Sequence, residues 1–262
     1  MSILEGEVLD GFRVEIDSKN ERGDIVLDRP PLNVISMEQR DQLRRAFEAL
    51  DADKSVRVIV LRAAGPHFSS GGKIGAFLET SPEALSKLAV NASAPVRCTK
   101  PVIAANRGYC FGIGFEISLG CDFILASETT LYSLPEQKIG MIPGSGGSAR
   151  LQKIIGSIRT KDLVMRARRI SGREAASWGI VTECVADTAL ETTTDALVKE
   201  LCAFSPLAQR TAKRLINESE DALLSTAIEL EGHSYSRLRS SDDFREGVTA
   251  FGEKRAPKWK GS

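Results

Sequence analysis

The chain is expected to be an α/β protein that ends in a helical region, and three observations point there. Short apolar runs bounded by turn residues recur along the first two thirds of the sequence. Amphipathic stretches with helical spacing fall between them, and strand–helix alternation of this kind implies mainly parallel pairing with helical crossovers. Beyond about residue 187 the apolar runs stop and only helical spacing is left. A chain of 262 residues can bury roughly 75% of its unfolded surface, enough for one large core, or a core plus a small appendage.

Phe12, Val14 and Ile16 alternate with polar neighbours, and Gly23-Asp24-Ile25-Val26-Leu27 follows after a polar turn, so the chain opens on a hairpin. Ser36 with Gln39 three residues on is a capping box, and Leu43, Phe47 and Leu50 form the apolar stripe of its helix. The run from Val56 to Leu61 reads as a buried strand, and Ser81-Pro82 opens another helix with proline at the first helical position. Pro101-Val102-Ile103-Ala104-Ala105 is a further strand that ends at a turn around Gly108, and Phe123 to Ala126 and Leu131-Tyr132 add two more. Ser171-Gly172-Arg173-Glu174 is a second capping box, with Gly179 as that helix's stop.

The helical region reads as Asp187 to Phe204, Pro206 to Asn217, Ala222 to Leu238 and Asp242 to Phe251. Ser205-Pro206 and the Ser240-Ser241-Asp242-Asp243 cluster mark the breaks. Residues 1–200 are therefore assigned to the core and residues 201–262 to a helical appendage. The stripe Leu223, Leu224, Ala227, Ile228, Tyr235 and Leu238 needs a partner, either the core or another subunit.

Lys plus Arg and Asp plus Glu both number 35, giving zero formal net charge. That balance argues against nucleic-acid binding as the main role. Cys98, Cys110, Cys121, Cys184 and Cys202 are widely spaced with no C-x-x-C pair, as expected of structural thiols in a reducing compartment. No stretch approaches the roughly 20 apolar residues of a membrane span. The first residues, Met1 to Glu7, carry acids and no apolar leader core, so a soluble cytoplasmic protein is expected. His67 and His233 belong to no metal-ligand cluster, and no G-x-S-x-G elbow is present, so neither metal nor serine-hydrolase chemistry is expected.

The chemistry concentrates around Gly108-Tyr109-Cys110-Phe111-Gly112-Ile113-Gly114-Phe115-Glu116. A glycine-punctuated turn that opens a helix presents unpaired N–H groups, which can hold a developing oxyanion. Glu116 lies in the same helix start, and Glu136 arrives in Leu134-Pro135-Glu136-Gln137. Read alone, each acid is as well explained as a helix N-terminal acid or a solvated loop acid. Phe68-Ser69-Ser70-Gly71-Gly72 is a second loop with exposed N–H groups, also explicable as a tight turn. Gly144-Ser145-Gly146-Gly147-Ser148 lacks phosphate-loop spacing and reads as a helix start close to the site.

These segments together resemble the crotonase superfamily, the enoyl-CoA hydratases and isomerases. The resemblance runs from Leu27-Asp28-Arg29-Pro30, through the two glycine loops and the 135–147 segment, to Phe251-Gly252-Glu253-Lys254-Arg255. It implies a spiral of ββα units followed by a C-terminal helical trimerisation region. It further implies oxyanion donors at the N–H groups of Gly72 and Ile113, and a Gly144 N–H near the catalytic water. Glu116 would activate that water and Glu136 would serve the α-carbon. The acyl-CoA thioester would lie along Arg29, Pro31 and Leu32, and against Ser70, Lys73, Ile74, Phe77, Tyr109 and Gly112. Phe251 and Lys254 would reach the nucleotide bound by a neighbouring subunit in a trimer or pair of trimers. No metal or redox cofactor is implied, because coenzyme A is part of the substrate.

The pattern has two departures: glycine is common where Ile113 stands and an acid where Lys73 stands. The Ile113 side chain is expected to narrow or redirect the pocket. The segment from Ile74 to Cys98, with Phe77, Leu78, Leu85 and Leu88, would line the acyl end. The reading favoured is hydration of a 2-enoyl thioester. Double-bond isomerisation and C–C hydrolysis of a cyclic β-ketoacyl thioester are the alternatives within the superfamily. A catalytically idle RNA-binding or structural subunit is the alternative of another class.

Overall fold

In the computed structural model, which describes residues 7–262, a parallel sheet carries the two glycine loops at one end of its strands. The leader reading of the first residues falls almost wholly on residues 1–6, outside those described. Strands β1 (Phe12–Asp17) and β2 (Arg22–Leu27) form the opening hairpin, with Phe12 opposite Leu27. Helix α1 (Met37–Ala52) begins at Ser36, whose Oγ accepts from Gln39 N while Gln39 reaches back to Ser36 N, the complete capping box. Strand β3 (Val58–Ala63) begins two residues later than the apolar run does. Val56 is buried, but its N–H turns back to Asp53 O, so it belongs to the turn leaving α1 rather than to the ladder.

Three short helices follow: α2 (Pro82–Ser86), α3 (Leu88–Ala92) and α4 (Ala94–Arg97). Next come β4 (Val102–Asn106), β5 (Tyr109–Phe111), α5 (Ile113–Ser118), β6 (Phe123–Ser127) and β7 (Leu131–Ser133). Helix α6 (Gly147–Met165), bent at Gly156, is followed by β8 (Ile170–Ser171), α7 (Gly172–Ser177) and β9 (Glu183–Val185). The chain ends in α8 (Leu190–Cys202), α9 (Pro206–Ser219), α10 (Leu224–Arg239) and α11 (Asp242–Glu253). Only half of the second capping box forms. Ser171 Oγ accepts from Glu174 N, but the Glu174 carboxylate is drawn away to Arg168 at 2.6 Å.

The main sheet runs β1-β2-β3-β4-β6-β9 and is parallel from β2 onward; a small second sheet orders β5-β7-β8. Successive residues of the central strands feed opposite faces. Ile59, Leu61, Ala104 and Ile124 pack into the large core with Leu43, Phe47 and Leu50 of α1. Val58, Val60, Ile103 and Leu125 pack under Leu190, Val198 and Leu201 of α8. Coverage on both faces is why these strands read as continuous apolar runs rather than alternating ones.

Helix α9 is fastened to the core by one buried cation. Lys213 Nζ donates to Pro95 O (2.8 Å) and Lys100 O (2.9 Å), and pairs with Asp122 at 2.7 Å. Helix α10 has no buried residue, and Leu223, Leu224, Ile228 and Tyr235 stand exposed. Among the described residues no helix is long and apolar enough to cross a membrane.

Candidate active site

The two glycine loops lie side by side. Ser69 pairs in parallel with Cys110, with Ser69 N donating to Tyr109 O and Phe111 N donating to Ser69 O. Beyond that bridge Gly71 lies against Phe111 O and Gly112, one residue short of Gly72 on one loop and of Ile113 on the other. Ile35 bridges the other side of the 71–73 segment, accepting from Lys73 N and donating to Gly71 O. The Gly72 N–H is thereby turned away from Ile35. Ile113 is the first residue of α5 and has no preceding helical turn to bond to. Among the described residues no acceptor takes the N–H of Gly72 or of Ile113.

Two carboxyls frame these donors. Helix α5 is buried along its whole length, and Glu116 is the one acid among its apolar residues. Its Oε1 accepts from Ser145 N (2.7 Å) and Gly147 N (3.0 Å), the backbone that opens α6. So Glu116 sits in the first turns of one helix and is held by the N-terminus of another. Burial pushes its pKa up, and the Gly147 and Ser145 N–H groups oppose that rise. The approach is close: a Cβ at Gly147 would come within 3.1 Å of Glu116 Cγ and 3.0 Å of Leu134. Arg150 Nη1 supports the same loop through Ser145 O at 3.0 Å.

Glu136 lies in a 3₁₀ turn, Pro135–Ile139, rather than in an open loop. Its Oε2 is buried with no hydrogen-bond partner among the described residues. Burial first, and then repulsion from Glu116, push its pKa up to about 7. Its Oε1 would lie 3.1 Å from a Cβ at Gly112, where φ is +50°; both the conformation and the close approach select glycine.

The other anticipated residues divide. The loop bearing Arg29, Pro31 and Leu32 does run along the first glycine loop, with Ser70 N donating to Leu32 O. The Arg29 guanidinium, however, is bonded to Val34 O of that loop, to Asp10 ahead of β1 and to Gln39 of α1. Lys73 and Ile74 are exposed at the loop's exit, and Phe77 stands over Gly72. Tyr109 is stacked between His67 (4.1 Å) and Phe111 (4.8 Å), and its N–H donates to His67 Nδ1 at 3.1 Å. Gly144 is exposed, facing Leu88. The Ile113 side chain is 3% exposed and belongs to the main core, so it fills buried space rather than an open cleft. Phe251 and Lys254 lie at the exposed end of α11, and none of the hydrogen bonds or ion pairs of the site among the described residues reaches them.

Sequence reading passed over Arg40. It projects from α1 to within 2.8 Å of the side-chain position of Gly72, over the Phe77 ring. The available signal was its place in the stripe Arg40, Leu43, Phe47, Leu50: a charge where helical periodicity calls for an apolar residue. Asn33 was passed over too; it is buried and ties Ala64 O and His67 O to the Arg29 loop.

A family model described as enoyl-CoA hydratase/isomerase matches residues 18–262. The chain belongs to that family. Its sequence is 35% identical to carnitinyl-CoA dehydratase of Salmonella arizonae, over 91% of this chain and 94% of that protein. It is 32% identical to probable enoyl-CoA hydratase 2, mitochondrial, of Arabidopsis thaliana, over 91% and 81%. Among solved structures, enoyl-CoA hydratase from Bacillus anthracis superposes with a TM-score of 0.90 at 30% identity, covering 97% of this chain and all (100%) of the other. The fold is that of the crotonase superfamily, and the chain is an enzyme of that family.

Proposed function

We propose that the chain is an enoyl-CoA hydratase that adds water across the 2,3 double bond of an enoyl-CoA thioester without metal or redox cofactor. The observation that carries this reading is the convergence of a buried and a half-buried carboxyl on two unpaired N–H groups. The thioester oxygen is received by the Gly72 and Ile113 N–H groups, which stabilise the enolate-like charge as water attacks C3. Removing one such donor in other enzymes costs about 3–4 kcal/mol, so the pair is the larger electrostatic contribution.

Glu116, whose carboxylate is held by two N–H groups, takes the proton from water. Glu136, with a pKa of about 7, carries a proton on a useful fraction of molecules near neutrality and delivers it to the α-carbon. One water is consumed, its hydroxyl goes to C3 and a proton goes to C2. The proton left on Glu116 returns to Glu136 through solvent. The reverse sequence is a dehydration, the direction named for the Salmonella relative. Isomerisation needs only one carboxyl, so the presence of both favours hydration. Substrate nucleotide would be held by Lys254 and Phe251 across the interface of a homotrimer or pair of trimers.

The test is loss of enoyl absorbance with crotonyl-CoA and longer 2-enoyl-CoA thioesters, with 3-enoyl-CoA in parallel. Conversion of 3-enoyl to 2-enoyl thioester with no hydration of either would overturn the hydratase reading in favour of isomerisation.

A further inference from the structure

Arg40 is a buried charged side chain of the site that the chemistry above leaves unused. It is 4% exposed, its Nε is buried with no acceptor, and among the described residues it forms no ion pair. Glu116 and Glu136 act on it only at a distance, and burial brings its pKa down to about 10, so it stays charged at neutral pH. A buried guanidinium without a partner is costly, and an acceptor brought by a ligand offsets that cost.

The geometry says where that acceptor lies. The bridge to Ile35 turns the Gly72 N–H away from Ile35, within the plane of the paired segments. The side-chain position of Gly72 points out of that plane. Arg40 Nη2 lies 2.8 Å and the Phe77 ring 3.3 Å from that position. The guanidinium therefore flanks the oxyanion donors on the side of the 74–78 turn instead of standing in line with them. Phe77 covers it at 5.3 Å, leaving its edge as the donor surface.

We propose that Arg40 selects the acyl group, donating to a carboxylate or carbonyl oxygen carried beyond the reacting double bond. The proposal rests on the enoyl-CoA hydratase reading of the site and names its substrate class: oxygenated acyl chains rather than plain or cationic ones. The planar fork of arginine matches such an sp² oxygen, which lysine does not.

The test measures binding by titration calorimetry on the full-length protein, so that it does not depend on turnover. The ligands are four saturated thioesters: pentanoyl-CoA, 4-oxopentanoyl-CoA, glutaryl-CoA and 4-trimethylammoniobutanoyl-CoA. The wild type should bind at least one oxygenated thioester about 10- to 100-fold tighter than pentanoyl-CoA, and the cationic one most weakly. Preference for glutaryl-CoA assigns a carboxylate, and preference for 4-oxopentanoyl-CoA a carbonyl. Arg40→Met should abolish the preference and, by removing an unpaired buried charge, raise the melting temperature of the free protein by about 2–4 °C. Arg40→Lys serves if the methionine variant does not fold, and should reduce the same ratio. No preference in the wild type, an equal loss for all four ligands, or a ratio unmoved in both variants would overturn the proposal. Hydration of crotonyl-CoA by the wild type is scored separately. Its absence counts against the hydratase reading and leaves the binding result to decide Arg40.

Discussion

Replacing Glu136 by glutamine separates what this carboxyl does for the reaction from what it costs the fold. A tenfold change in proton affinity is worth about 1.4 kcal/mol. The rise from 4.5 to about 7 therefore corresponds to about 3 kcal/mol unscreened, and to about 1–2 kcal/mol once partial solvent access is allowed for. The folded state holds this proton to higher pH than the unfolded chain does. Its contribution is accordingly best at pH below 4.5, and stability is lost as pH rises through about 7. Glutamine does not titrate, so Glu136→Gln should match the wild type near pH 5 and exceed it near pH 8, by about 3–6 °C in Tm. Hydration should fall about 10²- to 10⁴-fold in the same variant. The assay is a pair of thermal melts by circular dichroism at the two pH values, beside the crotonyl-CoA rate. If the variant's advantage does not grow between pH 5 and pH 8, Glu136 is not the shielded acid described here. If it retains more than about a third of the rate, its place in the proton chemistry is wrong.

Gly112→Ala puts a methyl 3.1 Å from Glu136 Oε1 at a φ of +50°; a displaced carboxyl should slow hydration about 100-fold, and an unchanged rate would show that Glu136 does not need that space. Lys254→Ala should raise KM for CoA thioesters about five- to thirtyfold with kcat nearly constant. Acyl-pantetheine thioesters should be insensitive to it, and equal loss on both would make Lys254 structural. Light scattering at micromolar concentration should give a trimer or hexamer, because Leu223, Leu224, Ile228 and Tyr235 leave α10 with an exposed apolar surface. A clean monomer would refute assembly through that helix.

How much of the fold was legible follows from which elements have their own periodicity. Helix α1 announces both its start and its buried face, because the Ser36–Gln39 box and the apolar stripe are local properties. The strands β3, β4 and β6 are buried on both faces and so appear as apolar runs. Strands β8 and β9 do not, since Ile170-Ser171 and Glu183-Cys184-Val185 form no apolar run and are recruited by pairing with β7 and β6. Helix α6 stayed hidden beyond its first turn because Gly156, at φ +74°, breaks it in the middle. The buried residues on either side, such as Leu151 and Leu163, consequently do not share one helical phase.

The site was legible as a set of residue types in order, and not as a set of contacts. Gly72, Ile113, Glu116 and Glu136 are singled out by the resemblance, since read alone each acid is equally well a helix or loop acid and the Gly71-Gly72 loop a tight turn. What holds Glu116 comes from Ser145 N and Gly147 N, some thirty residues away, and backbone N–H groups leave no trace in side-chain identity. Only the smallness of Gly147 records the contact, and glycine has too many other uses to be read that way. Arg40 is the opposite case. Its identity was visible and its position in the α1 stripe was wrong for a charge, so the conflict itself was the signal. A stripe that opens on arginine and continues through Leu43, Phe47 and Leu50 must bury that charge or abandon its first turn. The complete capping box at Ser36 keeps the first turn in place. The guanidinium is therefore carried inward by the helix that the rest of the stripe demands, and it ends beside Gly72.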